Sequence, residues 1–189
     1  MSAPTVDPAL QLTIRAGLSL LFAWAAAHKV RDAARFRATV ASYALLPGNW
    51  TGAAAALLIA GELSVAVALW IPPLMRSAAA AAAALLLLYA GAIAVNLLRG
   101  RRDVDCGCAG AARRQPISGW LVGRNLVLAA AALFATLPAA ARTLTWIDAV
   151  TIAAGATAAA LLYAAVDALL ANGPRVALLA LPRRAVPDA

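Results

Sequence analysis

Charged residues are scarce in this sequence. Only 13% of its 189 residues are Asp, Glu, Lys or Arg, about half the charged fraction of an ordinary soluble domain. That shortage excludes a chain whose whole surface faces water. With 64% hydrophobic residues and a mean hydropathy of +0.83, the solvent is lipid. Cysteine is rarer still: Cys106 and Cys108 are the whole complement, too few for the disulfide framework of a small secreted protein. His28 is the one histidine, so a four-ligand metal shell from a single chain is implausible. No Lys or Arg precedes the first apolar run, which therefore lacks the basic start of a cleaved signal peptide and reads as a retained span. Acidic residues number 8 against 16 Lys and Arg, for a net charge of +8. The basic residues sit in blocks between apolar runs, without a basic face or an aromatic stacking platform. That pattern speaks against nucleic acid and for a lipid bilayer as the partner.

What the sequence does have is long apolar runs. Five are long enough to cross a bilayer at about 20 residues each, near Leu10–His28, Thr51–Ile71, Met75–Leu98, Gly119–Ala139 and Leu144–Leu170. Pro72 and Pro73 close the second and Pro138 the fourth, while the fifth carries Asp148 and Asp167 near its ends. The alanine run Ala78–Ala84 fits close helix packing in lipid. Between the first two spans, Asp32 can cap a helix in which Phe36, Val40 and Tyr43 recur at spacings of four and three, with Arg31, Arg35 and Arg37 off that stripe. This is the pattern of a helix lying on the membrane surface. The expected architecture is an all-α integral membrane bundle of about five transmembrane helices with one interfacial amphipathic helix. The bundle occupies residues 1–172, and residues 173–189 form a surface tail.

Charge bias gives an orientation. Lys29, Arg31, Arg35, Arg37, Arg99, Arg101, Arg102, Arg113 and Arg114 fall on one side of a five-span chain, as do Arg175, Arg183 and Arg184; only Arg76 and Arg142 fall on the other. The basic side is expected in the cytoplasm and the N-terminus outside.

The stretch Arg99-Gly-Arg-Arg-Asp-Val-Asp-Cys-Gly-Cys-Ala-Gly110 carries the most chemical information. A structural staple between Cys106 and Cys108 would close a minimal loop and so contribute little stability. Gly107 permits the sharp bend such a bond needs, and the strain makes it readily reduced. A redox-active dithiol is preferred here over a staple, half of a metal site or two inert thiols. Neighbouring arginines lower a thiol pKa whereas Asp103 and Asp105 raise it, so the net reactivity is not legible from sequence.

Glu62 lies mid-span, about 16 Å along its helix from Thr51 at 1.5 Å per residue. A carboxylate there must be protonated or paired. Arg124 in the fourth span can reach toward it, with Arg15 in the first as the rival partner; a register-fixing pair and a functional one are both open. Asn96 and Asn125 fit interhelical hydrogen bonding. His28 and Lys29 end the first span, where snorkelling to the headgroups is the simplest fate. His28, Lys29, Asn96, Asp105, the two cysteines, Arg124 and Asn125 describe a polar mouth at one side of the membrane, leading toward Glu62. No motif marks a haem or flavin site, and none marks a quinone site, which leaves quinone open as a cofactor.

These residues also carry a resemblance. His28-Lys29, Phe36, Tyr43-Ala-Leu-Leu-Pro47, Glu62, Asn96-Leu-Leu-Arg-Gly-Arg, Asp105-Cys-Gly-Cys-Ala-Gly110 and Arg124-Asn125 look like the methylamine-utilisation MauE proteins, within a broader MauE/DoxX-like group of redox-associated membrane proteins. The Cys-Gly-Cys stretch after an Asn-Leu-Leu-Arg-Gly span end is its most specific part. The resemblance implies a role in maturing the disulfide-rich small subunit of methylamine dehydrogenase, beside a thioredoxin-like partner. That client matures in the periplasm, whereas charge bias puts the cysteines on the cytoplasmic side. Either electrons cross the membrane or the orientation is reversed.

The resulting expectation is a thiol–disulfide exchange protein with Cys106 and Cys108 as the working pair and Glu62 and Arg124 handling charge or protons beneath them. The alternative is a non-catalytic assembly or export factor whose thiols are incidental. A transporter fits poorly, because five spans carry no internal repeat.

Overall fold

The computed structural model describes residues 5–106 and 116–179, with side chains through 169. Six α-helices follow one another: α1 (Pro8–Arg31), α2 (Ala33–Ser42), α3 (Thr51–Ala68), α4 (Met75–Leu98), α5 (Gly119–Phe134) and α6 (Trp146–Leu179). No strand forms among the described residues; two isolated bridges, Val6 with Ala139 and Asp105 with Pro116, close the ends of loops. Four helices are long and apolar enough to cross a membrane, and α5 is a shorter apolar helix of 16 residues.

The α5 helix nevertheless runs the length of the bundle. Near its start Arg124 meets Asp167 of α6. Just past its end Ala135 and Leu137 present their carbonyls to Gln11 of α1, at 3.0 and 2.6 Å. Those bonds explain why the helix stops at Phe134, short of the expected Ala139. Its own last carbonyls accept the N–H groups of Ala135, Thr136 and Leu137 in a tightened turn, the carbonyls just beyond are claimed by α1, and Pro138 has no N–H with which to continue. At 24, 24 and 34 residues, α1, α4 and α6 are long enough to cross a bilayer, and α6 continues through Gly173 to Leu179, past the expected start of the tail; residues 180–189 lie outside the described set.

The core consists mainly of small side chains. Ala78, Ala79, Ala82 and Ala83 of α4 face Ala129 and Ala132 of α5, with Leu18, Phe22, Val65, Leu69 and Leu86 filling the remaining space. Lipid gives apolar helices no solvent-driven reason to associate, so close backbone approach and dispersion hold this pair. The α1–α6 contact is tight as well: a Cβ on Gly155 would come within 2.9 Å of Thr13 Cγ2. The outside is apolar, with Leu57, Val67, Leu88, Val127 and Leu161 exposed. Trp50 and Trp120 stand exposed at the start of α3 and α5, and Trp70 and Trp146 at the opposite end. Between Trp50 and Trp70, the 18 residues of α3 cover about 27 Å at 1.5 Å per residue, close to the hydrocarbon thickness flanked by aromatic belts.

The α2 helix forms as expected. Asp32 caps it, its Oδ1 accepting from the Arg35 N–H at 3.1 Å, and Phe36 is its buried residue, with Val40 and Tyr43 half-buried on the same stripe. The helix packs on α3 and, more lightly, on α1.

Candidate functional site

One end of the bundle gathers the chemistry. Lys29 is 3% exposed and Glu62 1% exposed, and the Lys29 ammonium forms an ion pair with Glu62 Oε1. Tyr89 of α4 donates its hydroxyl to the same Oε1 at 2.6 Å, and Lys29 Nζ lies 3.3 Å from the Tyr89 oxygen. Two rings flank the ammonium: Phe36 of α2 at 4.8 Å from its centroid and Tyr89 at 4.9 Å. A bare charge pair inside a bundle roughly breaks even against apolar side chains. The added hydroxyl and ring faces lower the cost of burying this one. Glu62 Oε2 is buried with no hydrogen-bond partner among the described residues.

This arrangement corrects two expectations. Lys29 does not snorkel outward; it stands on the buried stripe of α1 with Leu18, Phe22 and Ala26, and that register turns it inward. Arg124 does not pair with Glu62. Its Nη1 lies 2.9 Å from Asp167 Oδ1, and its guanidinium sits over the Tyr163 ring at 5.0 Å, so α6 holds it. Arg15, the rival, is at the other end of the bundle beside Met75 and Ala135. His28 faces a different way from Lys29, edge-on to Trp24 with ring centroids 4.7 Å apart.

The cysteine loop is fastened at its base. Gly100, at φ +74°, ends α4 in a left-handed turn that glycine adopts without strain, and Arg101 N–H returns to the Asn96 carbonyl at 3.0 Å. Asn96, fully buried, donates to the Ala92 carbonyl at 3.2 Å and accepts from Arg101 Nη1 at 3.3 Å. Among the described residues its bonds are thus within α4 and to the loop, not between helices. Arg101 also donates to the carbonyls of Ser42 and Tyr43, at 2.9 and 3.3 Å, which pins the end of α2 to the loop. Ile117 N–H bonds the Val104 carbonyl at 3.0 Å, pairing the loop's two described stems. Cys106 is buried in a small apolar cluster with Ile93, Val104, Ile117 and Leu121, against which Tyr43 packs. Asp105, beside it, lies 3.8 Å from the Arg35 guanidinium. Asn125 is 3% exposed, and its Nδ2 has no hydrogen-bond partner among the described residues. Cys108 lies outside the described residues.

The α2 helix therefore touches both features. Arg35 approaches the residue preceding Cys106, and Phe36, the next residue, covers the Lys29 ammonium. Tyr89 is the residue of this site that sequence reasoning missed. It falls on one face with Ile93 and Asn96, at spacings of four and three, and that face is the one that turns inward.

Fold and site together define a multi-pass helical membrane protein with a neutralised mid-span carboxylate beneath a cysteine-bearing loop. The family described as methylamine utilisation protein MauE matches this chain over residues 7–138, and the chain belongs to that family. It is 43% identical over 155 residues to methylamine utilization protein MauE of Paracoccus denitrificans, covering 81% of this chain and 83% of that relative. The MauE of Paracoccus versutus is 44% identical over 136 residues, 71% and 73% of the two chains. That of Methylophilus methylotrophus is 37% identical over 176 residues, 90% of each. No solved structure matches the chain.

Proposed function

We propose that this chain is a thiol–disulfide exchange protein of the bacterial inner membrane, serving methylamine utilisation by maturing a disulfide-bearing client. The methylamine dehydrogenase small subunit is the client its kinship points to, and a thioredoxin-like protein is the partner. The observation that carries the reading is the placement of Cys106 at a fastened loop base, one residue from Asp105 and its Arg35 neighbour, at the same end as the Lys29–Glu62 pair. A pair of incidental thiols calls for no such anchoring.

In the exchange, one thiolate attacks a partner disulfide, forming a mixed disulfide and releasing the partner's first thiolate. The second cysteine resolves it, so the partner leaves as a dithiol and Cys106–Cys108 becomes the disulfide. Two electrons pass to the partner, which takes up two protons. A dithiol of thioredoxin type restores the reduced pair by the reverse exchange. Glu62, held by Lys29 and Tyr89, is the buried charged group assigned to charge handling beneath the loop. Arg124 acts through Asp167 by fixing α6. By the charge bias the cysteine end faces the cytoplasm, where the exchange partner is the thioredoxin-like protein; direct exchange with a periplasmic client requires the reverse orientation.

Serine substitution of both cysteines tests this directly. The account expects the client's disulfides to fail to mature while the variant still inserts and folds. Normal client maturation in that variant would establish the non-catalytic assembly role instead.

A further inference from the structure

The opposite end of the bundle holds a second site. A cavity of about 470 Å³ opens between α1, the Pro72–Leu74 turn and the chain after α5, lined by Gln11, Arg15, Pro72, Met75, Arg76 and Leu137. Arg15 is 8% exposed, and it has no carboxylate partner among the described residues. Its Nη1 contacts Met75 Sδ at 2.8 Å and its Nη2 the Ala135 carbonyl at 3.3 Å, while its Nε has no hydrogen-bond partner among the described residues. A thioether is a weak acceptor, so a permanently charged group with five donors is served by two neutral atoms.

The acids that could have neutralised it are committed elsewhere. Among the described residues, Asp7 and Asp148 are the carboxylates at this end, and both are held by Arg142, at 2.8 and 2.7 Å. Arg76, on the cavity's exposed rim, adds a second positive charge and brings none of the opposite sign. Planar guanidinium groups of this kind match phosphate oxygens in geometry and charge. Depth points the same way. Arg15 is about 10 Å along α1 from Pro8 at 1.5 Å per residue, and its guanidinium meets Met75 at the start of α4 and Ala135 just past the end of α5, at the end of the bundle where Trp70 and Trp146 stand exposed.

We propose that Arg15 and Arg76 form a binding site for a phosphate oxyanion, supplied by the headgroup of an acidic phospholipid or by free phosphate. The Arg15 guanidinium would clasp the phosphate from below while Arg76 closes it from the rim.

The test uses the full-length protein in neutral detergent and reads its thermal unfolding midpoint. Three probes are titrated: short-chain phosphatidylglycerol, inorganic phosphate, and a short-chain diacylglycerol lacking phosphate. A saturable rise with phosphatidylglycerol alone supports a lipid-headgroup site, and a rise with inorganic phosphate supports a site open to the free ion. In Arg15→Gln the apparent affinity should fall by about tenfold or more, as for loss of a charged hydrogen bond, and in Arg76→Gln by a smaller factor. Arg76 is exposed, so its variant carries the test even if Arg15→Gln fails to fold. The proposal is overturned if neither phosphate-bearing probe raises the midpoint, if diacylglycerol raises it equally, or if Arg76→Gln leaves the response undiminished.

Discussion

Lys29, two residues from the end of α1, pairs with Glu62 in the middle of α3, and Tyr89 binds the same carboxylate oxygen. A lysine that ends a membrane span has a ready exit to the headgroups. This one turns inward because the buried stripe of its helix leads there. The pair neutralises a carboxylate that is 1% exposed and joins α1, α3 and α4.

Removing one partner strands the other charge in a low-dielectric interior. Lys29→Met and Glu62→Leu should each destabilise the protein by about 3–5 kcal/mol, and the double variant should recover most of that loss. Unfolding in detergent measures it. A double variant as unstable as the worse single would show that the two residues are not coupled.

Arg124 should behave differently. The cost of Arg124→Ala should be relieved by Asp167→Ala, because the two charges face each other at 2.9 Å, and not by neutralising Glu62. The same unfolding measurement on the two double variants distinguishes them. Rescue through Glu62 would contradict the assignment of Arg124 to α6.

The Asp7–Arg142–Asp148 clasp at the other end is expected to weaken in acid. The Arg142 guanidinium, hydrogen-bonded to Asp7, holds the Asp7 carboxyl below its ordinary value of 3.8, assisted by the Ala9 N–H and opposed by partial burial. Asp148 and then Asp7 raise the Arg142 pKa beyond any accessible range. A lowered carboxyl pKa contributes stability that is complete above the ordinary carboxylate value and is lost as pH falls through the lowered one. Acidification from about pH 5 to about pH 3 should therefore destabilise the native protein more than an Asp7→Asn variant. Parallel pH profiles of the unfolding midpoint would show otherwise if the clasp is idle.

The proposed orientation rests on charge. Nine Lys and Arg flank the first four spans on the cysteine side, against Arg76 alone in the opposite loop joining those spans. Such charge resists translocation. On cells whose thiols are first reduced, a membrane-impermeant thiol reagent should leave Cys106 and Cys108 unlabelled until permeabilisation. Labelling of intact cells would reverse the orientation and make direct docking of a periplasmic partner the simpler mechanism.

Much of the bundle was legible because lipid imposes a plain rule: apolar runs of spanning length become helices. The Met75–Leu98 span was read to the residue, and α2 was read from its Asp32 cap and its Phe36 stripe. The end of α5 was not, since its terminating bonds come from Gln11, more than a hundred residues earlier in the chain. Glu62 was legible as a residue in need of a partner, but the partner was a matter of helix rotation. The spacing of Leu18, Phe22, Ala26 and Lys29 held that information, and the local rule for lysine at a span end outweighed it. Arg124 was assigned by depth alone, and depth could not tell that Asp167 of a later helix would reach it first.

The central claim is that Cys106 and Cys108 cycle between dithiol and disulfide. Alkylation trapping in cells, after growth under reducing and then oxidising conditions, measures this most directly. The account predicts two species, a doubly alkylated form and an unreactive one, whose ratio shifts with the growth condition. Thiols fully alkylated under both conditions would contradict it.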